Sequence, residues 1–218
     1  MNWTVMCRGV KLKFVSKRNT VILRNGVVEK HFASDIAAAF EAQALKRLQI
    51  SGVRVPKVIE QCGCVLKLEY VPGETLPDFI ERLEVSSWDR QEVLTAADAV
   101  VHWLSDFYRA VDNDKTGEIR GDANGRNYIF DGVNCIGVDF EERIHGEKAQ
   151  DIGVLIAYVL HYDPPRTLVK KALADRLLSS AEKVLGIDTH RVIYWTDLEV
   201  EKMIHRRAWR ITAMHSGR

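Results

Sequence analysis

The chain has 218 residues, enough for one sizeable domain with a real core, and its 46% apolar and 28% charged residues are ordinary for a soluble globular protein. Lys plus Arg (31) almost balances Asp plus Glu (30), so no global field draws the molecule to nucleic acid or to a membrane surface, and neither is expected as a partner. Arg8, Lys11 and Lys13 interrupt any signal-peptide core, and no run approaches the roughly 20 apolar residues of a membrane span, which predicts a cytoplasmic protein.

Residues 10–32 alternate apolar and polar positions around Arg24-Asn25-Gly26, an Asn-Gly turn that favours a two-residue hairpin with strands at Thr20–Leu23 and Val27–Phe32. Ser34 can cap a helix in which Ile36, Phe40, Ala44 and Leu48 recur every four residues, closed by Ser51-Gly52. Val55–Ile59 and Val65–Val71 read as strands on either side of Cys62-Gly63-Cys64, and Pro72-Gly73 breaks the second. That cysteine pair lacks the two-residue spacer of a zinc knuckle or redox motif, so Cys7, Cys62, Cys64 and Cys135 are read as small buried apolar residues.

Beyond Gly73 the periodicity turns helical. Gln91–Val111 places Val93, Ala97, Val100, Leu104, Tyr108 and Val111 on one face. A strand pair, Tyr128–Phe130 and Cys135–Phe140, joins through Asp131-Gly132. Helical patterns resume at Lys148–His161, Leu168–Leu185 and Val192–His205, with Pro164-Pro165 a break. Lys202, His205, Arg206, Arg207, Arg210 and Arg218 make the end of the chain basic, as on a solvated helix face. A strand-rich first part, a thin joint near residues 69–76 and a helix-rich second part predict a two-lobed α+β protein.

The residues that carry chemistry are Arg120-Gly121-Asp122-Ala123-Asn124-Gly125-Arg126-Asn127 and, after the short hairpin, Val138-Asp139-Phe140. Closing the hairpin brings its strand ends together, so Asn127 and Asp139 can converge on one point. Phosphoryl transfer requires a carboxylate to orient the acceptor hydroxyl and oxygen ligands to hold Mg²⁺ against the phosphates of ATP. Asp122 suits the first role, and Asn127 with Asp139 suits the second.

These residues resemble the catalytic loop and Asp-Phe-Gly segment of the protein-kinase-like superfamily. Gly121 and Asp139-Phe140-Glu141 are most similar to its compact atypical branch, which includes aminoglycoside and choline phosphotransferases, lipopolysaccharide core kinases and the small kinase of the KEOPS complex. The resemblance implies a single bilobal domain over residues 1–218, with an N-lobe at 1–70, a hinge at 71–76 and a C-lobe at 77–218. It implies that Lys30 steadies the α- and β-phosphates of ATP, that Glu41 orients Lys30 through an ion pair, and that backbone groups around Glu69, Tyr70 and Val71 bind adenine. It also implies that Asp151, in Gln150-Asp151-Ile152-Gly153, braces the catalytic loop. The implied activity is transfer of the γ-phosphate of Mg·ATP to a hydroxyl group; the alternative is a pseudokinase that binds nucleotide without catalysis.

Three positions depart from the pattern. No Gly-x-Gly-x-x-Gly precedes Lys30, so the bend at Lys17-Arg18-Asn19 is expected to cover the phosphates, with Lys11 and Lys13 as reserves for Lys30. Arg120 stands where the family carries His and needs an acidic neighbour, Glu118 or Glu141. Glu141 replaces a Gly and is expected to be solvated or paired with Arg143, with a third metal ligand as the alternative. Residues 140–150 contain no Ser, Thr or Tyr and no Ala-Pro-Glu, so a small-molecule acceptor is expected over a protein, between the catalytic loop and the helices after Pro165; Asp122, Glu141 and Glu142 make that mouth acidic, which favours a neutral or cationic molecule over an anionic one.

Overall fold

The computed structural model describes residues 12–14, 19–86 and 88–215; side chains are described for 19–86 and 88–206, which leaves out those of Cys7, Lys11, Lys13, Lys17, Arg18, Arg207, Arg210 and Arg218. The first half builds a five-stranded antiparallel sheet from β1 (Leu12–Phe14), β2 (Thr20–Arg24), β3 (Val27–His31), β4 (Val58–Cys62) and β5 (Val65–Glu69), in the order β1-β2-β3-β5-β4. Asn25 and Gly26 both take positive φ (52° and 78°), as the primed turn of a two-residue hairpin demands. The fourth strand starts at Val58, three residues later than expected, because Pro56 offers no ladder N–H and Lys57 O instead accepts the Glu69 N–H (2.9 Å).

Helix α1 (Asp35–Ile50) follows β3, with Ser34 Oγ accepting the Ala37 N–H. Its buried face takes in only Ala44 and Leu48 of the expected stripe. Ile36 is 78% exposed, and Ala38, Glu41, Ala42, Leu45 and Leu48 turn inward. Alanines at 37, 38, 39, 42 and 44 give little contrast between faces, so the larger side chains misled the periodicity. The cysteines divide too. Cys135 is buried, whereas Cys62 and Cys64 are exposed at the tip of the β4–β5 hairpin, where no second layer reaches them.

In the helical half, β6 (Glu74–Thr75) leads into α2 (Leu76–Val85), whose start is fixed by the Thr75 cap and Pro77. Next come α3 (Arg90–Ala110), the short α4 (Asn113–Thr116), β7 (Glu118–Ile119), a 3₁₀ turn at Gly125–Asn127, β8 (Tyr128–Phe130), β9 (Cys135–Gly137) and β10 (Ile144–His145). Helices α5 (Lys148–His161) and α6 (Leu168–Leu185) take the bounds read from the sequence, and α7 (Thr189–His215) extends beyond both ends of its expected range. The order β6-β8-β9 forms one small sheet and β7 with β10 another.

Helix α3 is the spine. Its expected stripe is buried throughout, from Val93 (0%) to Val111 (4%), with Trp103 and Phe107 added beside it. At about 1.5–3 kcal/mol per large apolar side chain, this burial outweighs any helix propensity in the segment. Helix α7 lies on α5 at Gly153, where an added Cβ would sit 2.6 Å from Trp195 Cβ and 2.8 Å from Val192 O. Among the described residues, no helix is long and apolar enough to cross a membrane.

Candidate active site

The site lies where the sheet half meets the helical half. Lys30 projects from β3 with 5% exposure, and its Nζ is 2.7 Å from Glu41 Oε2, 2.5 Å from Asp139 Oδ1 and 2.9 Å from Glu141 Oε1. The Lys30–Glu41 pair expected from the sequence is thus formed, and it spans β3 and α1. Burial disfavours the ammonium, but Glu41 and Asp139 outweigh it and raise the Lys30 pKa well above an ordinary lysine's. Burial pushes the Glu41 and Glu141 carboxyls up against the pull of Lys30. At Asp139 burial also works upward, but Lys30 prevails and holds the carboxyl low.

Glu141 therefore sits elsewhere than expected. It joins the Lys30 cluster and accepts a hydrogen bond from the Asn19 side-chain amide, while Arg143 stacks over Phe40 (5.7 Å to the ring centroid). Among the described residues, Lys30 is the ammonium that these three carboxylates share. The acidic pocket mouth loses Glu141 by this route. Glu142 lines a small cavity with Phe40, Arg47 and Phe140, on the α1 side.

Asp139 adopts a left-handed backbone (φ 69°), which costs a non-glycine residue on the order of 1 kcal/mol. Arg120 fixes that conformation. Its Nη2 donates to Val138 O and to Asp139 O, both at 2.6 Å, and the guanidinium stacks 4.5 Å from the centre of the Phe140 ring. This replaces the expected acidic partner. Glu118 is taken by Arg47 (2.7 Å) and Glu141 by Lys30, and two backbone carbonyls serve Arg120 instead. Phe140 is itself packed against Trp103 and Phe107 of α3 (ring centroids 6.2 and 6.4 Å), so Asp139 is tied to the spine of the helical half.

The loop carrying Asp122 is held from below by Asp151. Its two carboxylate oxygens accept the Arg120 N–H (2.7 Å) and the Gly121 N–H (2.8 Å), and the Tyr108 hydroxyl donates to it at 2.9 Å. Burial raises the Asp151 pKa to about 6 against these donors. Gly121 is required here twice over: φ is 74°, and a Cβ would lie 2.3 Å from Ile144 Cδ1. Asp122 itself is exposed. Its carbonyl accepts from Asn127 Nδ2 (3.0 Å), and Asn127 O accepts the Val138 N–H (3.0 Å), which brings Asn127 beside the segment leading to Asp139.

Glu69, Tyr70 and Val71 lie at the exit of β5. Glu69 is exposed and pairs with Val27, while Tyr70 and Val71 are partly buried. Tyr108, Tyr158, Tyr162 and Arg126 were not singled out as functional from the sequence. Tyr108 occupied an ordinary core stripe, and nothing local marks a hydroxyl that ends on an acid 43 residues away.

A five-stranded antiparallel sheet with one helix, joined to a helical half through a charged cleft, is the protein-kinase-like fold in its compact atypical form. No family model matches the sequence, and no curated protein is recovered by sequence similarity. Solved structures do match. WaaP in complex with acyl carrier protein superposes with a TM-score of 0.59 at 14% identity, covering 87% of this chain and 87% of that one. The ADP-bound aminoglycoside phosphotransferase APH(2'')-Ib gives 0.58 at 13%, covering 82% and 80%. Amicoumacin kinase hAmiN in complex with AMP-PNP, Ca²⁺ and amicoumacin gives 0.56 at 12%, covering 90% and 81%. At such identities these are likenesses of fold.

Proposed function

We propose that this chain is a cytoplasmic, ATP-dependent phosphotransferase that moves the γ-phosphate of Mg·ATP to a hydroxyl of a small molecule, as a single domain with its hinge at residues 71–76. The observation that carries the reading is the meeting of Lys30, Glu41 and Asp139 within 2.7 Å, beside a loop that presents Asp122.

The donor set fits a hard divalent cation. Carboxylate oxygens of Glu41, Asp139 and Glu141 lie within 4.8 Å of one another, and among the described residues one ammonium faces these three carboxylates. Asp139 and Asn127 would hold Mg²⁺, which when bound supplies charge neutralisation on the phosphate oxygens. Asn127 donates through Nδ2 to Asp122 O, which leaves its Oδ1 as the ligand atom. Glu41 keeps Lys30 charged and aimed at the α- and β-phosphates. Glu69 spends its N–H on Lys57 O, so backbone donation to adenine passes to Tyr70 and Val71. Asp122, exposed and held through the amides of Arg120 and Gly121, orients the acceptor hydroxyl and takes its proton. Asn19, just before β2, donates to Glu141 and would help to cover the phosphates; Lys17 and Arg18 of the expected bend lie outside the described residues.

Mass spectrometry of candidate polyols, amino-alcohols and proteins incubated with the chain and Mg·ATP tests this. A phosphate adduct on a small hydroxyl compound is expected. ATP binding with no adduct on any acceptor would favour the pseudokinase, and an AMP adduct would overturn the proposed direction of transfer.

A further inference from the structure

Around Asp122 the helical half assembles two tyrosines and a group of cations for which phosphoryl transfer alone has no use. Tyr158 in the last turn of α5 and Tyr162, the residue that caps its C-terminus, lie side by side, partly exposed, with ring centroids 6.3 Å apart and planes tilted by 32°. The Tyr162 hydroxyl donates to Asn124 Oδ1 (3.1 Å), two residues from Asp122, and the same oxygen accepts the Arg126 N–H (3.0 Å). Gly125 lies under that hydroxyl, where a Cβ would come within 2.9 Å of it. The aromatic pair is thereby latched to the loop of Asp122. Burial raises both phenols, and the charge of Asp122 acts on each of them.

The charges nearby are mostly positive. Arg126 is exposed, and its guanidinium has no hydrogen-bond or ion-pair partner among the described residues. Its charge acts on the Tyr162 hydroxyl. On α7, Glu199 is 7% exposed and is matched by Arg206 at 2.7 Å and Lys202 at 3.8 Å; Arg206 and Glu199 both act on Tyr158. The buried Glu199 is thus paired, and Asp122 is exposed and able to meet a ligand. Glu141 and Glu142, which were expected to make this mouth acidic, face Lys30 and the α1 side.

An aromatic shelf suits the C–H face of a sugar ring, and an unpaired guanidinium suits a phosphate, which it can grip with two parallel hydrogen bonds. We propose that the acceptor is a phosphate-bearing sugar, its ring on Tyr158 and Tyr162, its existing phosphate on Arg126 and a free hydroxyl at Asp122. This rests on the phosphotransfer reading above. In the step, the hydroxyl oxygen bonds to the γ-phosphorus of ATP while the bond from that phosphorus to the β,γ-bridging oxygen breaks. ADP leaves with the electron pair, and the hydroxyl proton passes to Asp122.

The test is direct binding without nucleotide, by ligand-observed NMR and calorimetry on the full chain. The panel is pentose and hexose monophosphates, the parent sugars, an amino-hexose and inorganic phosphate. At least one sugar phosphate is expected to bind about tenfold or more tightly than its parent sugar, the amino-hexose and inorganic phosphate. The exposed Arg126→Gln should fold normally and erase that preference, and Tyr158→Leu should weaken the sugar phosphate about tenfold without changing the affinity for inorganic phosphate. Equal or better binding of the parent or amino sugar, equal binding of inorganic phosphate, no sugar phosphate bound, or an unaffected Arg126→Gln would each overturn the proposal. Thermal stabilisation by Mg·ATP, measured on the same samples, reports on phosphotransfer separately: its absence sinks that reading whatever the sugars do.

Discussion

Each half of the molecule brings a buried acid to the site, and the two are satisfied by different means. Glu41, on the sheet side, meets a charge: the Lys30 ammonium, shared with Asp139 and Glu141. Asp151, on the helical side, meets dipoles: two backbone N–H groups and a tyrosine hydroxyl. Charges that compensate one another can be exchanged for the charges of a ligand, because Lys30 can release Asp139 once a phosphate or a metal ion takes over. Backbone donors have no such freedom. The first arrangement can exchange its partners for those of a ligand, whereas the second is tied to the backbone of the Asp122 loop.

The sharpest way to break this contrast is to remove the Lys30 ammonium, the one cation of the cluster among the described residues. Lys30→Met leaves Glu41, Asp139 and Glu141 facing one another and should cost about 3–5 kcal/mol in urea unfolding, whereas Glu41→Gln leaves Lys30 two carboxylates and should cost about 1–2 kcal/mol. Equal costs would mean that the cluster is not held by shared charge.

The dipole brace has its own signature in pH. The Asp151 pKa is raised by burial from 3.8 to about 6, so the folded state binds the proton more tightly than the unfolded one. Stability from this group is fully present below about pH 4 and is lost as pH rises through about 6, by about 3 kcal/mol in total. Asp151→Asn should remove that component, and the difference between wild type and variant across this window reads it out. A difference independent of pH would contradict the assignment.

Changes at the loop itself should separate chemistry from binding. Asp122→Asn is expected to lower turnover by about a hundredfold or more while keeping nucleotide affinity within a few-fold. Near-normal turnover would remove Asp122 as the base. Arg120→Lys, which keeps the charge but cannot span both carbonyls or stack on Phe140, should cost about 1–2 kcal/mol, as small an effect as Glu41→Gln.

What could be read from the sequence was local. The Asn25-Gly26 hairpin, the α3 stripe, and the bounds of α5 and α6 all follow from turn chemistry or from spacing within one element. The order of Lys30, Glu41, Asp122, Asn127, Asp139 and Asp151 along the chain was enough to indicate the fold. Partners chosen across the fold were not legible. Arg120 takes the carbonyls of Val138 and Asp139 in place of an acid, because Arg47 and Lys30 had already claimed Glu118 and Glu141 from α1 and β3. Cys62 and Cys64 have the composition of core residues and lie at a hairpin tip. The left-handed backbone of Asp139 could not be foreseen, since attention fell on the glycine missing at position 141 and the unusual φ lies two residues earlier.

The claim that most needs testing is that the Lys30 cluster exists to receive Mg·ATP, and a thermal-shift titration addresses it directly. Wild type should be stabilised by ATP only when Mg²⁺ is present, through preferential binding to the folded state, and Asp139→Ala should lose that Mg²⁺-dependent gain. Undiminished stabilisation of Asp139→Ala would remove Asp139 from the metal site. No stabilisation of the wild type at millimolar Mg·ATP would contradict the account as a whole.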